Sequence, residues 1–163
     1  MALFACCVTF WLLGALFFSP SAEGGVAARQ SCPPGWLFYK SNCYGYFRFE
    51  LPWAEAEFEC QSYGHGAHLA SIHDTAEANI IATYVSAYPK TPSVWIGLHD
   101  PVENRRWKWT DGSMYNFRNW KAGRPNNINN NEYCGKLIKD TEYKKWNVAS
   151  CNKEFNFICK FNP

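Results

Sequence analysis

The chain has 163 residues, about the length of one domain, and it is rich in cysteine and aromatic residues, with 8 Cys, 8 Trp, 9 Tyr and 12 Phe. Charged residues make up only 18 % and the mean hydropathy is −0.35, which excludes a disordered chain, a coiled coil and a multi-span membrane protein. The formal net charge of +2 is too balanced to indicate a nucleic-acid partner. We therefore expect a protein with a substantial core and no nucleic-acid ligand.

The N-terminal residues 1–22 are typical of a cleaved secretory signal. The stretch from Leu3 to Phe18 is almost wholly apolar, and small, turn-forming residues follow it, with cleavage predicted somewhere between residues 22 and 28. No Lys or Arg precedes the apolar stretch, so a signal-anchor is the alternative. We expect a secreted, extracellular protein without stable membrane insertion, in which residues 23–31 form a short segment before a domain at 32–161.

The eight cysteines fall into two groups, because Cys6 and Cys7 lie inside the predicted leader. The six others are Cys32, Cys43, Cys60, Cys134, Cys151 and Cys159. An even number of cysteines in a secreted chain predicts disulfides, and their spacing alone leaves fifteen pairings open. No Cys-x-x-Cys pair follows the leader, so a zinc site is not expected.

A hairpin and two helices are predicted in the first half of the chain. Two aromatic runs around a polar turn predict a β-hairpin over 36–47. A helix is predicted to begin at Pro52 and to end by Gly64, with apolar residues recurring on one face. A second helix is predicted from Thr75 to about residue 87, and Asp74 begins it in a pattern similar to a capping box.

The remaining predicted elements are short strands and one long loop. Strands are predicted over 68–72, 94–98, 107–110, 132–138, 145–148 and 155–160. The stretch 116–131 is too polar for a core element and too long for a tight turn, and such loops on rigid scaffolds often carry function. These elements together predict an α+β domain.

Several motifs occur in an order that covers nearly all of residues 32–161. They are Cys32-Pro-Pro-Gly-Trp36, Trp53-Ala-Glu-Ala, His68-Leu-Ala-Ser-Ile72, Val94-Trp-Ile-Gly-Leu98, Trp107-Lys-Trp-Thr-Asp-Gly112, Trp146-Asn147 and Phe157-Ile-Cys159. This arrangement resembles the C-type lectin-like domain family. Within that family it is most similar to the regenerating islet-derived (lithostathine) group, and to its fourth type in particular, through segments such as Ser41-Asn-Cys-Tyr-Gly-Tyr-Phe-Arg48.

The resemblance implies a fold and a disulfide pattern. The fold is α+β, with two helices packed on short antiparallel β-sheets and a long irregular loop. The implied bridges are Cys32–Cys43, Cys60–Cys159 and Cys134–Cys151. The group consists of secreted single-domain lectins, which implies carbohydrate binding by a monomer and no catalysis or cofactor.

The resemblance also identifies where a calcium site would lie. Calcium-dependent members carry Glu-Pro-Asn or Gln-Pro-Asp in the long loop, a Glu before the next Cys, and Trp-Asn-Asp on a later strand, which together supply the hard oxygen ligands that Ca²⁺ needs. This chain has Arg124-Pro125-Asn126, Glu132 and Trp146-Asn147-Val148, so that one of three carboxylates remains. We expect Arg124, Asn126, Glu132 and Asn147 to form a vestigial site without calcium, with Arg124 paired to Glu132 as one arrangement. A calcium-dependent mannose-type lectin with a degenerate loop is the alternative.

Similarity to the fourth type implies binding of mannose-type glycans or polysaccharide, mannan included, without calcium, through two loops. At the matching positions the first loop comprises Asp100, Pro101, Val102, Glu103, Asn104 and Arg105, and the second comprises Asp140, Thr141 and Glu142. Both loops contain polar side chains that can form hydrogen bonds with the hydroxyl groups of a sugar. The alternative for each of these residues is that it lies at a solvated hairpin tip and does not bind a sugar.

Two other interpretations come from surface charge. Arg105-Arg106-Trp107-Lys108-Trp109 and Lys144-Lys145-Trp146 interleave cations with aromatics, which suits a heparin-like polyanion. Strand alternation explains the same pattern if the Trp side chains are buried and the cations exposed. A mineral-binding or antimicrobial lectin-like protein remains open. An enzyme is not expected, because no recognisable nucleophile motif occurs.

Overall fold

The computed structural model describes residues 31–88, 91–126 and 130–163. The predicted signal at 1–22, both leader cysteines and nearly all of the segment 23–31 lie outside the described residues. The two predicted helices are α1, Trp53–Gln61, and α2, Thr75–Ser86. The strands are β1 Leu37–Tyr39, β2 Asn42–Leu51, β3 His68–Leu69, β4 Ser93–His99, β5 Lys108–Trp109, β6 Cys134–Ile138, β7 Trp146–Ala149 and β8 Phe155–Phe161.

The strands form one sheet, in the order β1-β2-β8-β4-β6-β7, with β3 added against β8 and β5 against β4. The named strands pair antiparallel as expected, except that β4 and β8 run parallel through Val94 opposite Asn156 and Trp95 opposite Phe157. Strands joined by a tight turn must be antiparallel, whereas a long connection permits either direction. More than fifty residues separate these two strands along the chain, so no turn fixes their direction.

The helix beginnings follow the sequence signals. Helix α1 begins directly after Pro52, and its buried face carries Trp53 and Cys60. Helix α2 is capped by Asp74, whose carboxylate accepts a hydrogen bond from the Glu77 backbone N–H at 2.7 Å. The predicted α1 runs three residues too far, because the chain after Gln61 turns instead of continuing the helix.

Strand β2 bulges away from β8 near its end. Phe47 pairs with Phe157, and the next pair is Leu51 with Phe155, so the three residues 48–50 lie opposite Asn156 alone. A β-bulge bends its strand and redirects the side chains on it. The hairpin predicted over 36–47 therefore continues into a longer and irregular second strand.

The aromatic residues that stand out in the sequence are mostly core residues. Trp95, Trp146, Tyr44 and Phe157 are fully buried, and Trp53, Trp107 and Trp109 are nearly so. The implied disulfides, Cys32–Cys43, Cys60–Cys159 and Cys134–Cys151, are all confirmed. Cys60–Cys159 joins residues 99 positions apart, a loop for which chain entropy gives roughly 4–5 kcal/mol of stabilisation. In the described part of the chain no helix is long and apolar enough to cross a membrane.

Candidate functional site

The first predicted sugar-binding loop follows β4 and is organised by Asp100. The Asp100 side chain is only 3 % exposed, and its carboxylate accepts hydrogen bonds from the backbone N–H groups of Asn104 at 3.2 Å and Arg105 at 2.6 Å. The Asp100 backbone N–H donates to the Tyr133 carbonyl oxygen at 2.9 Å. Asp100 is thus occupied in shaping the loop, and the groups that reach solvent belong to its neighbours.

Five residues of this loop are exposed: Pro101, Val102, Glu103, Asn104 and Arg105. Two of them, Glu103 and Arg105, have left-handed backbones with φ of 55° and 65°. The amide oxygen of Asn104 accepts a hydrogen bond from the Arg106 N–H at 3.2 Å. The loop therefore offers a carboxylate, a guanidinium and an amide nitrogen to a ligand, on a backbone fixed by Asp100.

A cavity of about 290 Å³ lies beside this loop. The described residues that line it are Trp53, His99, Asp100, Pro101, Glu103, Asn131, Tyr133, Cys134, Cys151 and Asn152. The His99 ring stacks on the Trp53 ring with centroids 4.7 Å apart. Burial lowers the pKa of His99 from its ordinary value, an effect that nearby carboxylates partly oppose. An aromatic wall, a half-buried disulfide and exposed polar groups thus meet at the first loop.

Most residues that line this cavity are not among the predicted sugar-binding residues. Asp100, Pro101 and Glu103 belong to the predicted first loop, whereas Tyr133 and Asn152 come from distant parts of the chain. The signal that could have located Tyr133 was its position next to Cys134, since the Cys134–Cys151 bridge brings that segment close to Asn152.

The second predicted loop is a 3₁₀ turn whose charged groups already have partners. The Asp140 carboxylate lies 2.5 Å from Lys121 Nζ, and the Glu142 carboxylate lies 2.5 Å from Lys144 Nζ. The Thr141 hydroxyl donates to the Ile138 carbonyl oxygen at 3.1 Å. Both ion pairs are exposed to solvent, and such pairs contribute little to stability. A ligand can therefore replace a contact in either pair at a small cost in free energy.

The structure does not bring the two loops together. The first loop is held against Tyr133, just before β6, and the second follows Ile138, where β6 ends. A five-residue strand spans about 13 Å between its end residues, which exceeds the size of one sugar ring. Any binding by the two loops must therefore involve separate sugar units.

At the predicted vestigial calcium site, the Arg124 side chain contacts two of the other three predicted residues. The Arg124 guanidinium donates to the Asn126 amide oxygen at 2.5 Å and lies 3.6 Å from the Glu132 carboxylate, which confirms the predicted pairing. The Asn147 amide oxygen accepts from the Val148 backbone N–H at 2.8 Å. The structure thus brings Arg124, Asn126 and Glu132 together, whereas the amide oxygen of Asn147 accepts from the next residue of β7.

This donor set does not fit Ca²⁺. Calcium takes six to eight oxygen ligands with net negative charge, and here two of the implied oxygens contact a guanidinium. Within residues 31–88, 91–126 and 130–163, no group of three or more His, Cys, Asp or Glu side chains is placed to hold a metal ion. Residues 127–129 of the long loop lie outside these described ranges.

The interleaved aromatics are buried and the cations are exposed, although only Lys108–Trp109 and Trp146 belong to strands. Trp107, Trp109 and Trp146 are buried, whereas the cations Arg105, Arg106, Lys108, Lys144 and Lys145 are exposed. The aromatic rings are therefore not part of a stacking surface. Only the charges remain available to a polyanion.

Comparison with known proteins gives the same architecture. Residues 50–161 match the model of the lectin C-type domain. The chain is 46 % identical to human regenerating islet-derived protein 4 over 140 residues, covering 86 % of this chain and 87 % of that protein. It is 44 % identical to the C-type lectin mannose-binding isoform of Oxyuranus scutellatus, covering 79 % and 82 % of the two chains. The crystal structure of human lithostathine superposes with a TM-score of 0.79 at 36 % identity, covering 83 % of this chain and 94 % of that one. The chain therefore belongs to the C-type lectin domain family.

Proposed function

We propose that this protein is a secreted, monomeric carbohydrate-binding lectin that needs no calcium. The observation that carries the proposal is the Arg124 guanidinium, which contacts both Asn126 and Glu132 where calcium-dependent members would place their metal. An internal positive charge at that position replaces the cation that would otherwise organise the loop. Sugar binding then has to use direct contacts.

The cavity beside the first loop supplies suitable groups for direct contacts. Tyr133 and Pro101 offer flat apolar surfaces, and Glu103, Asn131 and Asn152 offer hydrogen-bonding groups for hydroxyls. A relative is named as a mannose-binding C-type lectin, which supports a mannose-type hexose as the ligand class. Three disulfides and an apolar leader support secretion.

Mannan binding measured in calcium and again in EDTA tests the proposal. We expect equal affinity in both, and a loss of at least tenfold in the double variant Glu103→Ala with Asn152→Ala, whose parent side chains are exposed. Lys108→Ala, exposed on the neighbouring strand, is the matched control. Binding that appears only with calcium would support the degenerate calcium-dependent lectin instead, and no binding in either buffer would contradict a lectin function.

Polyanion binding is a second candidate. The side chains of Arg105, Arg106 and Lys108 are exposed, and none of them forms an ion pair with another residue in the described part of the chain. A heparin-like chain would form ion pairs with these exposed cations, and salt would screen such pairs. Retention on a heparin column that falls with salt, and falls further in Arg105→Ala with Arg106→Ala, would support it. Retention unaffected by salt would contradict it.

A further inference from the structure

A second cavity lies at the bulge in β2, beside the start of β4, whereas the first loop follows the end of that strand. Its volume is about 670 Å³, and it lies between residues 48–50 of β2 and the C-terminal end of α2. Small-molecule sites typically measure roughly 300–1,000 Å³. Bulges recur next to binding sites because they redirect side chains out of the regular sheet. The cavity therefore has the size and the structural origin of a binding site.

Two residues that line this cavity, Thr91 and Asn156, belong to a buried hydrogen-bonded cluster. Asn156 and Thr91 are 8 % and 6 % exposed. The Asn156 amide nitrogen donates to Thr91 Oγ1 at 2.8 Å and to the Tyr46 hydroxyl oxygen at 3.0 Å. An asparagine side chain has two N–H donors and one acceptor oxygen. Both donors are thus engaged, while the Asn156 amide oxygen accepts no hydrogen bond from another described residue and remains an acceptor for a ligand.

The rim combines aromatic surface with charges of both signs. The Arg48 guanidinium lies 4.9 Å from the centre of the Tyr88 ring, which orients it. The Phe49 ring is 47 % exposed and contacts Phe157 through an edge-to-face arrangement at 5.1 Å. In the described part of the chain neither Arg48 nor Glu50 forms an ion pair. An open aromatic face with adjacent donor and acceptor groups suits a sugar ring and its hydroxyls.

We propose that this cavity is a second subsite, which binds an uncharged hexose unit of a polysaccharide. The guanidinium of Arg48 and the carboxylate of Glu50 cancel in charge, so a sulfated or phosphorylated unit would gain one ion pair and meet one repulsion. A neutral hexose uses both groups as hydrogen-bond partners. The ligand class rests on the proposed lectin function.

The second subsite and the first loop lie at opposite ends of β4. Asn156 pairs with Val94 near the start of that strand, and Asp100 follows its last residue. The five-residue step from Val94 to His99 corresponds to about 17 Å. A long polysaccharide can engage both sites of one domain, which raises its affinity above that of a short oligosaccharide without new contacts.

Amide chemical shifts during titration with mannohexaose in EDTA test this inference. We expect two groups of shifts, one at residues 48–50, Tyr88 and Asn156 and another at residues 99–104. The double variant Arg48→Ala with Glu50→Ala should abolish the first group, keep the second, and lower affinity for mannan at least fivefold. Arg118→Ala is the matched control, because that guanidinium also lies over a tyrosine ring, 5.2 Å from the centre of Tyr115.

The outcomes separate this inference from the proposed function. Shifts at the first loop alone would overturn the second subsite and leave the lectin function intact. Shifts at the bulge alone would support the subsite and contradict the assignment of the first loop. An absence of shifts would overturn both proposals. A heparin hexasaccharide that shifts residues 48–50 more strongly than mannohexaose does would overturn the uncharged ligand class.

Discussion

The guanidinium of Arg124 lies 3.6 Å from the carboxylate of Glu132. This contact places a fixed positive charge beside an oxygen that the family resemblance assigns to calcium. A divalent ion held about 5 Å from the guanidinium would meet a repulsion of roughly 6–7 kcal/mol at an effective dielectric of 20. The ion pair with Glu132 holds Arg124 toward this oxygen, and we propose that its charge excludes the ion.

Substitution Arg124→Glu should create calcium affinity. The change adds a carboxylate and removes the guanidinium, so the local charge moves from neutral to −2. We expect the unmodified protein to bind calcium more weakly than about 1 mM, the weak end for extracellular modules, and the variant to bind at least tenfold more tightly in calorimetric titration. Arg118→Glu makes the same charge change elsewhere in the long loop and should not alter calcium binding. Equal affinities for Arg124→Glu and the unmodified protein would contradict this account.

Substitution Asp100→Ala should loosen the first loop. Two backbone N–H groups would lose their carboxylate partner, and a hydrogen bond to a charged group contributes a net of about 1.5–3 kcal/mol, part of which is recovered where water reaches the freed N–H groups. We expect the free energy of unfolding in urea to fall by about 1–3 kcal/mol, with faster hydrogen exchange at the Asn104 and Arg105 amides.

Glu103→Ala is the control for that experiment, because Glu103 is exposed in the same loop, and its effect on stability should stay within about 0.5 kcal/mol. Unchanged hydrogen exchange at the Asn104 and Arg105 amides in Asp100→Ala would contradict the claim that Asp100 holds the loop backbone. A loss of sugar binding in Asp100→Ala therefore reports on the loop backbone and not on direct contact with the ligand.

The helices and the disulfides could be predicted because their signals are local or are carried by the whole family pattern. Pro52 and Asp74 mark helix starts by their own backbone and hydrogen-bonding chemistry. The burial of Asp100 could not be predicted, since it depends on how a following turn returns its amides to the carboxylate. The cavity at the β2 bulge has no signal in the sequence either, because the bulge is defined by the register against β8, a strand more than 100 residues later.

The buried pair of Lys160 and Glu77 should dominate the polar contribution to stability. Lys160 Nζ lies 2.7 Å from the Glu77 carboxylate, and the two side chains are only 10 % and 7 % exposed. The Tyr44 hydroxyl also donates to this carboxylate, and burial together with that contact raises the pKa of Tyr44. Removal of one partner of a buried pair leaves an uncompensated charge, at a cost of about 3–5 kcal/mol.

We therefore expect Lys160→Met to lower the free energy of unfolding by about 3–5 kcal/mol, measured by urea denaturation. The double variant Lys160→Met with Glu77→Gln should recover part of that loss, because no buried charge remains. Lys121→Met breaks the exposed pair with Asp140 and should cost about 0–1 kcal/mol. Equal effects of the two lysine substitutions would refute the importance of burial.

Stability should fall in mildly acidic solution because of His99. Burial against Trp53 lowers the pKa of His99 below its ordinary value of 6.5. The folded state therefore holds the neutral ring, and as pH falls through 6.5 the unfolded chain takes up the proton first. The free energy of unfolding then decreases with falling pH, by at most about 1.4 kcal/mol per pH unit for one proton, until the pH passes the folded-state pKa.

The pH profile of His99→Gln checks this prediction. The variant lacks the titrating group, so between pH 7 and pH 5 its free energy of unfolding should decline less steeply than that of the unmodified protein. The comparison uses the slopes, because loss of the stacked ring also changes absolute stability. An NMR titration of the His99 ring protons should give a midpoint below 6.5. A midpoint at or above that value, or parallel slopes for the two proteins, would show that the ring is not desolvated by its contact with Trp53.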